Sequence, residues 1–148
     1  MSNVGLLCRK YVDRAMIEYE LPRSEASTTL LCMIAAHESG GFRYCQQIGG
    51  PAVSIFQMEP TTFYDVSQYA QRKGYCYKHL PSHPNEMIFD FGFAAAMSRI
   101  FFLRIPEAIP HEEDLEAISE YAKKYWNTSA GKATPELYLK AYQEHFEQ

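Results

Sequence analysis

The chain has 148 residues, of which 47% are hydrophobic and 22% are charged, and its formal net charge is -4. A chain of this length fits one domain with a substantial core, and this composition is that of a globular protein. It contains no block of Lys or Arg, which argues against a protein that tracks nucleic-acid phosphates. We therefore expect a ligand that is neutral or mixed in charge.

The sequence predicts neither a membrane span nor a secretory signal peptide. No run of about 18 apolar residues occurs, and the apolar patch within residues 1–16 is soon interrupted by Arg9 and Lys10. Four cysteines lack a CxxC pair and metal-like spacing, so we expect free thiols at Cys8, Cys32, Cys45 and Cys76. His79 and His83 are flanked by prolines and are interpreted as surface-loop residues rather than metal ligands. No metal or cofactor is expected.

Periodic apolar residues, caps and breakers predict helices over residues 3–19, 27–38, 60–73, 90–105, 115–125 and 134–146. Pro60 is expected at the first helical position of the third helix, and Gly74 at its end. Asp90 and Thr134 are expected to cap the fourth and sixth helices. The alanine-rich fourth helix is interpreted as the central buried one. The prediction is an all-α single domain over residues 1–148, with at most a small β-hairpin near residues 45–58.

The rest of the chain is organised around residues 27–62, where a helical pattern is followed by a glycine-rich loop. With Ser27 or Ser24 as N-cap, apolar residues lie three, four and seven positions before Glu38, which places its carboxyl on the inward face. Glu38 also falls in the last turn before Gly40 and Gly41, where the helix dipole and burial both raise its pKa. A protonated carboxyl there can donate a proton to a glycosidic oxygen. The alternative is a surface glutamate at a frayed helix end.

Three separated motifs occur in one order, HESGG at residues 37–41, PAVSIFQMEPTT at residues 51–62 and YWNTSAGKAT at residues 125–134. They resemble the Glu-Ser, Gly-Leu-Met-Gln-x-x-Pro and Ala-Tyr-Asn-Ala-Gly motifs of soluble lytic transglycosylases and goose-type lysozymes. Ser54 stands in the place of a Gly and Trp126 in that of a Tyr, whereas Gln57, Pro60 and Asn127 are kept. The resemblance implies the lysozyme-like fold.

A narrower likeness is to small proteins of tailed bacteriophages. These share the Glu-Ser pair, a Gly-Pro-Ala before Gln-Met-Glu-Pro-Thr-Thr, and a late Asn-Thr-x-x-Gly-Lys. The likeness implies a protein of the phage virion, or one held in the host cytoplasm until delivery, that acts at the bacterial cell wall. Other virion proteins would then be partners beside the glycan strands of peptidoglycan, with no nucleic acid and no membrane among them.

The resemblance also implies a reaction, cleavage of the glycosidic bond between N-acetylmuramic acid and N-acetylglucosamine. Glu38 would protonate the leaving oxygen and then take the proton of the muramyl C6 hydroxyl, which closes an anhydro ring. A hydrolase would instead require a second carboxylate, for which the candidates are Glu59, Asp65 and Asp90. We interpret Glu59 as a helix-start residue near the cleft and Asp90 as a helix cap.

The motif positions imply a set of substrate-binding residues around Glu38. Gln57 and Asn127 would present amides to the sugar or to the glutamate, although Gln57 could instead brace its own loop. Trp126 would offer an apolar face to a sugar ring, or would anchor the core between the last two helices. Ser39 would hydrogen-bond near Glu38 or satisfy a free carbonyl at the helix end. Ser54 completes the set, because its Gly counterpart lets the backbone approach the substrate.

Two classes of function fit this sequence. The first is an enzyme, a lytic transglycosylase or muramidase. The second is a structural virion protein, a tail or vertex component that keeps the fold without turnover, which the exchanged Gly and Tyr favour. The glutamate on an apolar face favours the enzyme, because burying a carboxyl without partners costs about 1–3 kcal/mol.

Overall fold

A computed structural model describes residues 1–75, 83–127 and 131–148 of the chain. Its α-helices are α1 (Asn3–Glu18), α2 (Glu25–Glu38), α3 (Pro60–Lys73), α4 (Phe91–Leu103), α5 (Leu115–Ala122) and α6 (Pro135–Tyr142). A 3-10 helix covers Pro84–Met87, and π-helical turns extend α5 over Lys123–Asn127 and α6 over Gln143–Glu147. The prediction of an all-α protein is confirmed.

Local sequence chemistry sets where the helices begin and end. Asp90 accepts a hydrogen bond from Phe93 N at 2.9 Å, which caps α4 as predicted. Pro60 is the first residue of α3, and Gly74 ends that helix with a φ of 78°. At α2 the N-cap is Ser24, and Ser27 is the third helical residue, because the two serines exchange bonds in a capping box.

Helices α2 and α4 together form the centre of the core. Residues 27–36 of α2 are all buried, and the helix packs against α1, α4, α5 and α6. Residues 93–100 of α4 are buried as well, so the sequence identified one of two central helices. Because α2 is buried on every side up to its last turn, its carboxyl end is held rigidly by neighbouring helices.

A loop of residues 42–59 folds over the carboxyl end of α2. It contains isolated antiparallel bridges, from Gln46 to Val53 and from Val53 to Met58, at the place predicted for a small hairpin. No extended strand forms within the described ranges. Ser54 and Gln57 adopt φ values of 75° and 55°, a left-handed conformation that non-glycine residues rarely take. Such backbone strain tends to occur next to functional sites.

Several other expectations can be compared with the structure. The thiols of Cys8, Cys32 and Cys45 are free, whereas Cys76 and His79 lie outside the described residues. His83 caps the 3-10 helix through its ring nitrogen, which accepts from Asn85 N at 3.1 Å. In the part of the chain that is described, no helix is long and apolar enough to cross a membrane. Nor do three His, Cys, Asp or Glu side chains gather there as a metal site would require.

Candidate functional site

A cleft of about 960 Å³ opens where α2 ends. His37 and Glu38 from α2 line it, and the loop of residues 42–59 forms one wall through Gln57 and its neighbours. The π-helical turn after α5 adds Trp126 and Asn127 to the lining. The cleft therefore brings together residues from all three sequence motifs, within the size range of ligand-binding clefts.

Glu38 is the last residue of α2, and its side chain is partly buried in the cleft. Its Oε1 accepts a hydrogen bond from the Tyr138 hydroxyl at 2.6 Å. Burial raises the pKa of Glu38, while the hydrogen bond from Tyr138 opposes this rise, and the net result is a raised pKa. The predicted position of Glu38 in the last turn is confirmed, and of the two effects expected to raise its pKa, burial is the one found in the structure.

Tyr138 is fully buried on α6, which packs against α2. The Asn127 side chain lies near the Tyr138 hydroxyl and partly opposes the rise of its pKa. Burial and the neighbouring Glu38 carboxyl raise the pKa of Tyr138 far above its usual value, so the hydroxyl stays protonated and donates. Asn127 Oδ1 in turn accepts a hydrogen bond from Lys123 Nζ at 2.7 Å. Asn127 thus faces the glutamate region, as one of the two sequence hypotheses expected.

His37 lines the cleft beside Glu38. Its ring lies 4.4 Å from the Tyr138 ring, centroid to centroid, with the two planes inclined by 51°. Burial lowers the pKa of His37, so the imidazole is neutral near pH 7. His37 therefore adds no positive charge to this end of the cleft at neutral pH.

Gln57 and Ser54 brace the loop that forms one wall. Gln57 lines the cleft, and its Nε2 donates to the carbonyl of Ser54 at 2.6 Å. Gln57 therefore braces its own loop, which is the alternative considered in the sequence analysis. Ser54 is 1% exposed, and its Oγ accepts from Phe56 N at 3.1 Å. Ser54 does not line the cleft. Its left-handed backbone explains why a Gly would suit this position, but its buried side chain offers no direct contact to a ligand.

Ser39 follows Glu38 but turns away from the cleft. It is fully buried, its Oγ donates to the carbonyl of Ala35, and it accepts from Phe42 N at 2.7 Å. Its hydroxyl therefore bonds at the helix end rather than to Glu38, and the Ala35 carbonyl that it reaches is not free, because it also accepts from Ser39 N at 3.0 Å.

Trp126 lines the cleft and also anchors its wall. Its Nε1 donates to the carbonyl of Phe56 at 3.0 Å, and its ring stacks on Phe102 at 5.7 Å and meets the edge of Phe101 at 4.9 Å. The anchoring alternative placed Trp126 between the last two helices. The structure corrects that location, since these partners belong to α4 and to the loop of residues 42–59.

The three candidates for a second carboxylate are in different surroundings. Asp90 is a helix cap, as interpreted from the sequence. Asp65 is exposed on α3. Glu59 lines the cleft, is exposed, and precedes α3 without a side-chain capping bond. Of these carboxyl groups, Glu59 is thus the one that shares the cleft with Glu38.

Sequence reasoning missed Tyr138 and His37. In the sequence, Tyr138 is one of the periodic apolar residues of the predicted helix 134–146, and the available signal was that a buried tyrosine hydroxyl needs a hydrogen-bond partner. His37 is one of five histidines spread along the sequence, and it precedes Glu38 in the HESGG motif. Its helical position directly before Glu38 gave no sign that its ring packs against Tyr138.

Comparisons of the chain with family models, with curated proteins and with solved structures find no match. The geometry of the cleft is therefore the basis for a functional proposal.

Proposed function

We propose that the chain is a peptidoglycan-cleaving lytic transglycosylase in which Glu38 is the general acid and base. The observation that carries this proposal is the Glu38 carboxyl itself. It lines a cleft of about 960 Å³, its pKa is raised by burial, and Tyr138 donates a hydrogen bond to it at 2.6 Å. A carboxyl in such a place is suited to protonate a leaving group near neutral pH.

In the proposed reaction, the Glu38 carboxyl acts first as the acid and then as the base. Protonated Glu38 gives its proton to the glycosidic oxygen as the bond from muramyl C1 to that oxygen breaks. The resulting carboxylate then takes the proton of the muramyl C6 hydroxyl, whose oxygen bonds to C1 and closes the 1,6-anhydro ring. Glu38 ends protonated again, so the cycle needs neither water nor a metal. Tyr138 stabilises the intermediate carboxylate through its hydrogen bond.

The lining of the cleft is consistent with a glycan. Among the described residues, none that line the cleft is Lys or Arg, which disfavours a strongly anionic ligand such as a phosphate chain. Tyr44, Tyr125 and Trp126 offer aromatic surface along its walls. Aromatic faces with nearby polar groups suit the apolar faces and hydroxyl groups of sugars.

We further propose that the protein belongs to a tailed phage and acts on the cell wall, either from the virion or after release into the periplasm. The motif likeness supports this proposal. Its partners would be peptidoglycan glycan strands and other virion proteins. Quantitative mass spectrometry of purified particles tests the location, and a fixed copy number per particle is the expected result.

The activity test compares the wild-type protein with Glu38→Gln on purified peptidoglycan sacculi. Soluble fragments are identified by mass spectrometry, and anhydromuropeptides are expected from the wild type. Loss of the acid and base should lower their release by at least about 100-fold. Glu120→Gln, the same change at an exposed site on α5, is the matched control and should behave as the wild type.

Two outcomes would contradict the transglycosylase proposal. Fragments with reducing ends, lost in Glu59→Gln as well as in Glu38→Gln, would indicate hydrolysis by a pair of carboxylates across the cleft. No release by the folded wild-type protein, found in fixed copy number in particles, would favour the structural virion role.

A further inference from the structure

Ile48 is an exposed apolar residue of the cleft, on a turn of the loop of residues 42–59. Its side chain lines the cleft, and 80% of its surface is open to solvent. The three residues that follow it are Gly49, Gly50 and Pro51, so Ile48 has the largest side chain of this turn. An isoleucine left in water beside a cleft is available to cover apolar surface of a ligand.

The turn that carries Ile48 is closed by its own hydrogen bonds. Gln47 N donates to the carbonyl of Ala52 at 2.9 Å, and Gln47 Oε1 accepts from Ala52 N at 3.2 Å. Gly49 has a φ of 74°, and a Cβ on Gly50 would lie 2.3 Å from the Gln47 side chain, so glycine suits both positions. The Ile48 side chain is therefore presented from a defined backbone, which reduces the entropy lost when a ligand binds.

The conformation of the turn does not explain an isoleucine at this position. Gly, Pro, Asn, Asp and Ser dominate turns because they tolerate the backbone or form hydrogen bonds with it, whereas a β-branched apolar side chain does neither. Ile48 is also outside the buried core. Neither local conformation nor core packing accounts for this side chain, whereas contact with a ligand in the cleft does.

An amide side chain accompanies Ile48 in the cleft. Gln46 pairs with Val53 in an antiparallel bridge next to the turn, and Gln46 and Ile48 both line the cleft. The Gln46 amide offers a donor and an acceptor, and Ile48 offers an apolar surface. This pair of side chains suits a ligand group that has a methyl next to an N–H and a C=O, which is an acyl amide.

We propose that Ile48 is a specificity-determining residue that contacts the methyl group of an acyl amide on the glycan. This inference rests on the proposed function, because it takes peptidoglycan as the ligand of the cleft. Two parts of that polymer carry such a group, namely the N-acetyl groups of its sugars and the lactyl-alanyl start of its peptide stems. A sugar chain without either group gains nothing from Ile48.

The experiment measures binding by titration calorimetry on Glu38→Gln protein, the parent, so that no probe is turned over. The probes are the tetramer of N-acetylglucosamine, its fully de-N-acetylated form, and glycan strands with and without peptide stems. Adding Ile48→Ala should weaken binding of an acylated probe by at least about fourfold, the factor contributed by one buried CH₂. Ile48→Val keeps a branched apolar side chain and should stay nearer to the parent.

Ile17→Ala is the matched control for Ile48→Ala. Ile17 is 79% exposed on α1 and is not among the residues that line the cleft, so its replacement should leave the binding of every probe unchanged. Each variant is compared with the parent on the same probe. The ammonium charges of the de-N-acetylated tetramer therefore cancel from the comparison.

The two sources of the acyl group give different supporting results. A loss of affinity for the N-acetylglucosamine tetramer assigns the contact to acetyl groups. A loss for strands with stems, absent for strands without stems, assigns it to the stems. The inference is wrong if Ile48→Ala binds every probe as the parent does, or if it loses as much affinity for the de-N-acetylated tetramer.

The outcome for Ile48 is separable from that for the enzymatic proposal. Binding requires no turnover, so these losses in a protein whose wild type releases no anhydromuropeptides would overturn the enzymatic proposal alone. Conversely, release of anhydromuropeptides by Ile48→Ala protein with the wild-type kcat and KM would overturn the role of Ile48 alone.

Discussion

Replacing Tyr138 with Phe should destabilise the protein more at pH 8 than at pH 4. Tyr138 is fully buried, and its hydroxyl donates to Glu38 Oε1 at 2.6 Å. A hydrogen bond to a charged acceptor contributes about 1.5–3 kcal/mol to stability, and one between neutral groups about 0.5–1.5 kcal/mol. Glu38 becomes charged as the pH rises through its raised pKa. Tyr138→Phe should therefore lose about 1 kcal/mol more of its free energy of unfolding at pH 8 than at pH 4.

Urea unfolding followed by circular dichroism at both pH values measures this difference. Tyr121→Phe is the matched control, because Tyr121 is also buried and its hydroxyl donates to the backbone carbonyl of Glu107 at 2.8 Å, an acceptor that does not ionise. Its loss of stability should be the same at both pH values. Equal losses for Tyr138→Phe at pH 4 and pH 8 would refute the assignment of Glu38 as an ionising partner of Tyr138.

Three further changes test the scaffold, each by thermal or urea unfolding. Gly5→Ala should lower the free energy of unfolding by about 1–3 kcal/mol, because the added Cβ would lie 2.3 Å from the carbonyl oxygen of Phe146. An unchanged unfolding midpoint would contradict this contact. Ser54→Ala should lower the free energy of unfolding by about 1–3 kcal/mol, because it leaves the buried Phe56 N without its hydrogen-bond acceptor. Ser54→Gly should lower it by less, because glycine adopts the left-handed backbone of this position without strain. Asp90→Ala should cost about 1 kcal/mol through loss of the α4 cap, with activity unaffected.

The helix boundaries could be predicted from the sequence because their causes are local. The cap at Asp90 and the first-turn Pro60 each act within one turn, so a few neighbouring letters are enough to recognise them. Ser24 and Ser27 show the limit of this method. Both can cap a helix, and the reciprocal bonds between them decide which one does.

The position of Glu38 was predictable for the same reason, but its partner was not. Tyr138 lies 100 residues further along the chain, and only the packing of α6 against α2 brings its hydroxyl to the carboxyl. The π-helical turn after α5 was also missed, because one extra residue in a helical turn leaves no clear mark on apolar periodicity. That turn carries Trp126 and Asn127, so the wall of the cleft depends on a feature that sequence patterns do not reveal.

Replacing Glu38 with Gln should remove activity and at the same time stabilise the protein at neutral and alkaline pH. The folded-state pKa of Glu38 is raised above its unfolded value, so its contribution to stability is fully present below about pH 4 and is lost as the pH rises through the folded pKa. Gln cannot ionise, and its amide oxygen can still accept from Tyr138. The two proteins should therefore unfold at similar urea concentrations near pH 4, and the variant should require more urea at pH 8. A wild-type protein that is the more stable one at pH 8 would show that the carboxylate is well compensated in the folded state. In that case burial would not destabilise the Glu38 carboxylate. The proposed proton transfer would then lack the raised pKa on which it depends.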